Sequence, residues 1–215
     1  MSAFIEALRN PSITNQPPSA SEQRRNDILM VGVVLFALFL GWGIRNNAVN
    51  AVTDFALGGQ LPTLSYPATW LEAQSDGVLF RAIDPASPST FDARVELVVR
   101  DLREGESLDS ISTSWPLART QALERFRSLS AQTIQREGEQ PALLLTYAYI
   151  ADPTRESGSL GLPVVVKGQD LLFVANDGIG DRLVAVTVAA DATEWDSHVH
   201  AFTSIFASLG IQEGN

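Results

Sequence analysis

The sequence predicts an α+β fold, a mostly antiparallel β-sheet flanked by helices, preceded by one transmembrane helix. Three observations predict it. Ile28–Ile44 runs for seventeen residues without a charged side chain. Residues 91–100 alternate apolar and polar with a period of two, and the stretch 195–209 repeats apolar residues at helical spacing.

The 215 residues suit one ordinary domain plus an extra segment, and 45% hydrophobic with 19% charged side chains can build a core. Formal net charge is −10; residues 46–215 contribute −11 and residues 1–45 contribute +1. An acidic domain repels phosphate backbones and anionic lipid, which excludes nucleic acid as a partner and a domain lying flat on a membrane. With no cysteine there is no disulfide, thiolate nucleophile or cysteine metal site. The sequon-like Asn10-Pro11-Ser12 is blocked by its proline, and Lys167 is the only lysine.

Residues 1–27 read as a flexible cytoplasmic tail, broken by Asn10-Pro11 and Gln16-Pro17-Pro18-Ser19. Residues 28–44 form the transmembrane helix: at ~1.5 Å per residue the run spans roughly 25 Å, the short end of a bilayer crossing. It is apolar on every face, where a buried core helix would carry polar positions. Trp42 sits where an indole favours the interface. Arg9, Arg24 and Arg25 precede the run and Arg45 follows. That bias places the N-terminus in the cytoplasm and the C-terminal domain outside it, at the cell membrane. A signal peptide cleaved near Val49-Asn50-Ala51 competes, but 27 residues is long for its leading region, so an uncleaved anchor is favoured.

Residues 45–60 read as a linker and 61–211 as the α+β domain. Strand signals open it at Thr63–Trp70 and Gly77–Ile83. In Phe91–Arg100, Phe91, Ala93, Val95, Leu97 and Val99 share one face, with Asp92, Arg94, Glu96 and Arg100 on the wet side. Ser107 caps a helix carrying Leu108, Ile111 and Trp115; Pro116 kinks or restarts it, and Leu123 and Phe126 continue the stripe to about Leu129. Ala131–Arg136 turns at Glu137-Gly138-Glu139 into Ala142–Ile150, apolar on both faces and therefore central. Val164–Ala175 follows, with a break expected at Lys167-Gly168. Asn176-Asp177-Gly178 turns into Leu183–Ala189. A helix over Thr193–Leu209 closes the domain, with Trp195, Val199, Phe202, Phe206 and Leu209 facing the sheet and Gly210 as its stop.

Tyr66-Pro67-x-x-Trp70, the wet-sided strand Phe91–Arg100, the helical insertion, Ala142–Ile150 with Tyr147, and Phe202-x-x-Ile205-x-x-Ser208-Leu209 occur in that order. Residues 61–211 thereby resemble the PsbP-like family, which includes extrinsic photosystem II proteins and a Ran-binding nuclear import factor. The resemblance implies an α/β/α sandwich that docks onto larger assemblies rather than catalysing, and a host such as a photosynthetic or respiratory complex. The membrane helix departs from the soluble plant members.

Chemistry-bearing patterns are sparse. His198 and His200 fall on the closing helix, and Ser197 diverges from its neighbour His198, so no nucleophilic triad forms. Glu194 and His198 share a helix face, with Asp191, Asp196 and His200 nearby. The two histidines point about 200° apart and do not grip one ion. Asn176-Asp177-Gly178-Ile179-Gly180-Asp181 lacks the calcium-loop spacing and reads as a hairpin turn. Glu104, Glu106 and Asp109, and Glu137 and Glu139, read as exposed loop acids. Tyr66, Trp70 and Trp115 either line a groove or fill the core, the latter favoured.

The expectation is a membrane-anchored, non-catalytic accessory or assembly protein. Its exported domain docks on a protein partner in a membrane complex. No cofactor and no catalytic, cofactor-binding or metal residue is assigned. The alternative is an exported small-ligand-binding module.

Overall fold

The computed structural model describes residues 19–138, 140–152 and 162–211, and these divide into two units between Ala48 and Val49.

Helix α1 covers Ala20–Val49, thirty residues. Within it, Gln23–Asn47 is long and apolar enough to cross a bilayer, and none of its apolar window is buried. Side chains such as Leu29, Phe36, Phe39 and Trp42 are all exposed. The helix begins inside the expected tail, because Ser21 to Asp27 holds no proline or glycine to stop it backward from the apolar run. Residues 1–18 lie outside the described residues.

The second unit begins where a linker was expected. Strand β1 (Val52–Ala56) pairs antiparallel with β2 (Thr63–Pro67) as a two-stranded sheet. Its signal is weak because five residues with Asp54 at the centre carry almost no period.

The main sheet contains β3 (Leu71–Glu72), β4 (Phe80–Ile83), β5 (Arg94–Asp101), β6 (Arg127–Arg136), β7 (Gln140–Ala151), β8 (Val164–Asn176) and β9 (Asp181–Asp191). Their spatial order is β3-β4-β5-β9-β8-β7-β6, every neighbouring pair antiparallel. The middle strand is therefore β9, buried from Leu183 to Asp191, while β7 lies one strand in from the β6 edge. β8 runs unbroken through Lys167-Gly168, because it is hydrogen-bonded on both sides.

Helix α2 (Leu108–Ala122) packs on one face of this sheet and α3 (Trp195–Ser208) on the other. Ser107 caps α2 in a reciprocal box with Ser110. The helix passes through Pro116 and ends at Leu123, whose extended backbone starts the path to β6; the helical stripe to Leu129 is not formed.

On the α3 side, Val95, Leu97, Leu171, Phe173, Val184 and Val186 meet Trp195, Phe202, Ile205 and Phe206. Each such side chain contributes roughly 1.5–3 kcal/mol by leaving water. Ile205 is fully buried while Val199 is 42% exposed, because Ile205 rotates the centre of the stripe toward His198. Lys167 Nζ lies 4.6 Å from the Trp195 ring centre, and Gly210 ends α3 with φ +85°. On the α2 side, Ile111 and Trp115 meet Leu143, Leu172, Leu183 and Ala185.

Candidate functional site

β8 reads VVVKGQDLLFVAN, and its carboxylate at Asp170 is fully buried. A buried carboxylate is costly unless it is paired and hydrogen-bonded. Five donors converge on it. Trp115 Nε1 (2.7 Å) and Arg119 Nε (2.7 Å) donate to Oδ2. Arg119 Nη2 (2.9 Å), the Tyr147 hydroxyl (2.9 Å) and the Thr187 hydroxyl (2.8 Å) donate to Oδ1. Arg119 Nη2 also donates to Thr187 Oγ1 at 2.7 Å.

The hub joins α2 to three adjacent strands, β7, β8 and β9. Burial works against the Arg119 charge, but the carboxylate of Asp170 more than offsets it and holds the guanidinium protonated. Burial, then the Asp170 charge, pushes the Tyr147 phenol well above its ordinary value of 10.

A cleft of about 210 Å³ opens beside this hub, lined from the C-terminal end of α2 and from strands β4 and β5. Alternation brings Arg81 from β4, and Arg94 and Glu96 from β5, to the face opposite Val95 and Leu97. Tyr147, Tyr149, Thr187, Leu123 and Arg119 complete the lining. Glu96 Oε1 accepts from Arg81 Nη2 at 2.6 Å and lies 3.8 Å from Arg94 Nε, too far for a hydrogen bond. The Arg94 guanidinium lies over Phe91, 3.8 Å from the ring centre. Arg81 Nε is buried with no acceptor among the described residues. Three guanidinium groups thus meet the carboxylates of Glu96 and Asp170, and Arg94 also feels the charge of Asp92.

The patterns visible in the sequence lie elsewhere. His198 Nδ1 is 3.8 Å from Asp84 Oδ2 and its Nε2 3.8 Å from Glu194 Oε2. Glu194 accepts from Ser87 at 2.6 Å, and Ser197 donates to the Glu194 carbonyl, away from His198. Asp191 accepts from Ser89 and Thr193, and Asp196 and His200 are exposed. Among the described residues no group of three or more His, Asp or Glu is placed to share a metal ion.

Asp177 Oδ1 accepts the Ile179 and Gly180 amides at 2.8 and 2.9 Å, so this carboxylate builds the hairpin turn. Those amides hold its pKa below the ordinary range. Glu106 is bound bidentately by Arg100 at 2.7 and 2.6 Å rather than being a free loop acid. Glu104 and Asp109 are exposed, the Glu137 amide donates to the Gly210 carbonyl, and Glu139 lies outside the described residues. Tyr66 and Trp70 join the α3-side core, whereas Trp115 packs on the α2 side, so the three line no common groove.

The residues lining the cleft were missed in the sequence because they come from five separated elements. The visible signal was Asp170, a lone acid inside an apolar strand.

No family model matches the chain, and no curated protein matches it. Solved structures do. LpqN of Mycobacterium tuberculosis, described as involved in cell envelope biogenesis, matches with a TM-score of 0.50 at 13% identity, over 72% of this chain and 87% of its own. The Pseudomonas aeruginosa protein PA94, of unknown function, matches with a TM-score of 0.40 at 16% identity, over 77% of this chain and 99% of its own. The Saccharomyces cerevisiae Ran-binding protein Mog1p matches with a TM-score of 0.45 at 10% identity, over 74% of this chain and 92% of its own. What this chain shares with LpqN is the fold: an antiparallel sheet flanked by helices.

Proposed function

We propose that this chain is a membrane-anchored, non-catalytic accessory protein whose α+β domain docks onto a protein partner in a larger membrane complex. The carrying observation is α1. Its run from Ile28 to Ile44 is apolar all round, and none of the apolar window is buried within the structure. Such a surface is stable in hydrocarbon and unfavourable in water. The arginine bias before the helix supports an extracytoplasmic domain. Anchoring confines the domain to a surface and raises its effective concentration near a partner in the same bilayer, so a weak contact suffices. The PsbP-like resemblance of residues 61–211 supports docking, with a photosynthetic or respiratory complex as one class of host. The envelope role described for LpqN is in keeping with it.

The test is fractionation of the native chain followed by purification in mild detergent. The protein should sediment with membranes, resist carbonate extraction, and co-purify with a stoichiometric membrane subunit. Recovery in the supernatant with its N-terminus intact overturns the anchor; recovery from membranes only as a free monomer overturns the docking role.

A further inference from the structure

We infer that the cleft between the end of α2 and strands β4 and β5 is a binding site for a small monocarboxylate, held by Arg94 and Arg81. The inference is independent of the docking role.

Unmet donors come first. Asp170 pairs with Arg119 and Glu96 with Arg81, while Arg94 meets Glu96 only at 3.8 Å and shares its charge with Asp92, so its N–H groups lack a close acceptor among the described residues. Arg94 is only 16% exposed in its side chain, has its guanidinium carbon 3.8 Å from the Phe91 ring centre, and makes no hydrogen bond among the described residues. A guanidinium carries five donors in a planar fork, and a mostly buried one without acceptors is costly. Arg81, whose side chain also lines the cleft, has a buried Nε with no acceptor among the described residues. A carboxylate is the planar acceptor that matches a guanidinium edge, and it carries only one negative charge. A phosphate dianion would bring two beside Glu96, Asp170 and Asp92.

Size and walls narrow the ligand further. At 210 Å³ the cleft is below the roughly 300–1,000 Å³ of drug-sized sites, which excludes nucleotides and long acyl chains. Tyr147, Tyr149 and Leu123 offer ring and aliphatic surface beside the arginines. The best fit is a compact acid with a small apolar or aromatic body. The walls are pre-set, because Asp170 fixes both Arg119 and Tyr147, so little ordering entropy is lost on binding.

The test uses the full chain in non-ionic detergent and ligand-observed NMR with 4-fluorobenzoate, competed by acetate, benzoate, benzamide and inorganic phosphate. Benzoate should displace the probe, acetate more weakly, and benzamide and phosphate should not. Arg94→Gln should weaken probe binding about tenfold or more, as loss of a charged hydrogen bond implies. Glu96→Gln removes a negative charge beside the arginines and should tighten it. Arg94→Lys keeps the charge without the fork and should bind weakly while retaining the wild-type near-UV circular dichroism. It decides the matter if Arg94→Gln does not fold. Val199→Ser, on the opposite side of the sheet, should bind as wild type. No displaceable binding, displacement by benzamide as effective as by benzoate, stronger displacement by phosphate, or unchanged affinity in both Arg94 variants overturns the inference.

Discussion

Tyr147 and Gly168 face each other across β7 and β8, and the tyrosine ring lies so close that a Cβ on Gly168 would meet ring carbons at 2.7 Å. The glycine is thus required by the ring that anchors Asp170, at a position where the sequence alone suggested a break. Gly168→Ala should destabilise the domain by about 1–3 kcal/mol, the range for overpacking a filled core. Combining it with Tyr147→Leu should cost less than the two singles together, measured by urea denaturation of the full chain in detergent.

Removal of the buried carboxylate is the harsher change. Asp170→Ala strands the Arg119 charge and should cost about 3–5 kcal/mol in the same measurement. Asp170→Leu with Arg119→Met removes both charges and should recover much of that loss.

The phenols report burial at alkaline pH. Burial, aided by the hydrogen bond to Glu72 and its charge, pushes Tyr66 up to about 12, and Tyr147 is held well above 10. A phenol with a raised pKa stabilises the fold below the unfolded value of about 10, and that stability is lost as pH rises through the folded value. Two of the three tyrosines should therefore remain protonated in the native protein at about pH 11. Phenolate absorbance should reach its full amplitude only on unfolding.

Acid stability should depend on Glu106. The hydrogen bonds from Arg100 pull its pKa down to about 2. A depressed carboxylate stabilises the fold above its unfolded value of about 4.3 and loses that contribution as pH falls toward the folded value. Glu106→Gln should lower stability at neutral pH and flatten the loss between about pH 4 and pH 2, read from thermal midpoints across that range.

Much of the fold was legible because its signals are local. β5 showed its two faces through the alternation of Arg94 and Glu96 with Val95 and Leu97, α2 its start through Ser107, and the β8–β9 hairpin its turn through Asn176-Asp177-Gly178. The expected wet face of β5 is instead mostly covered, with Arg94 16% and Glu96 18% exposed, and Phe91, expected beside Val95, precedes the strand and packs with Tyr147 and Tyr149. β1 was not legible, since Val52–Ala56 is short and polar at its centre. The α3 stripe was misread at Val199 because the two flanking choices, 198 and 199, differ by only one step of the helix. The cleft lay further out of reach. Arg119 and Asp170 are 51 residues apart, and only the strand order brings β5 beside β9 and so sets Arg94 near Tyr147.

The contact of Lys167 with Trp195 has a practical consequence. Lys167 is the sole lysine and there is no cysteine, so the chain offers one side-chain amine and no thiol to chemical reagents. Acylating that amine replaces the cation above the indole by a neutral amide and should alter its fluorescence, an internal readout of labelling. A cysteine introduced at any exposed position would be the only thiol in the protein, giving a photo-crosslinker a single address from which to capture whatever the domain meets at the membrane.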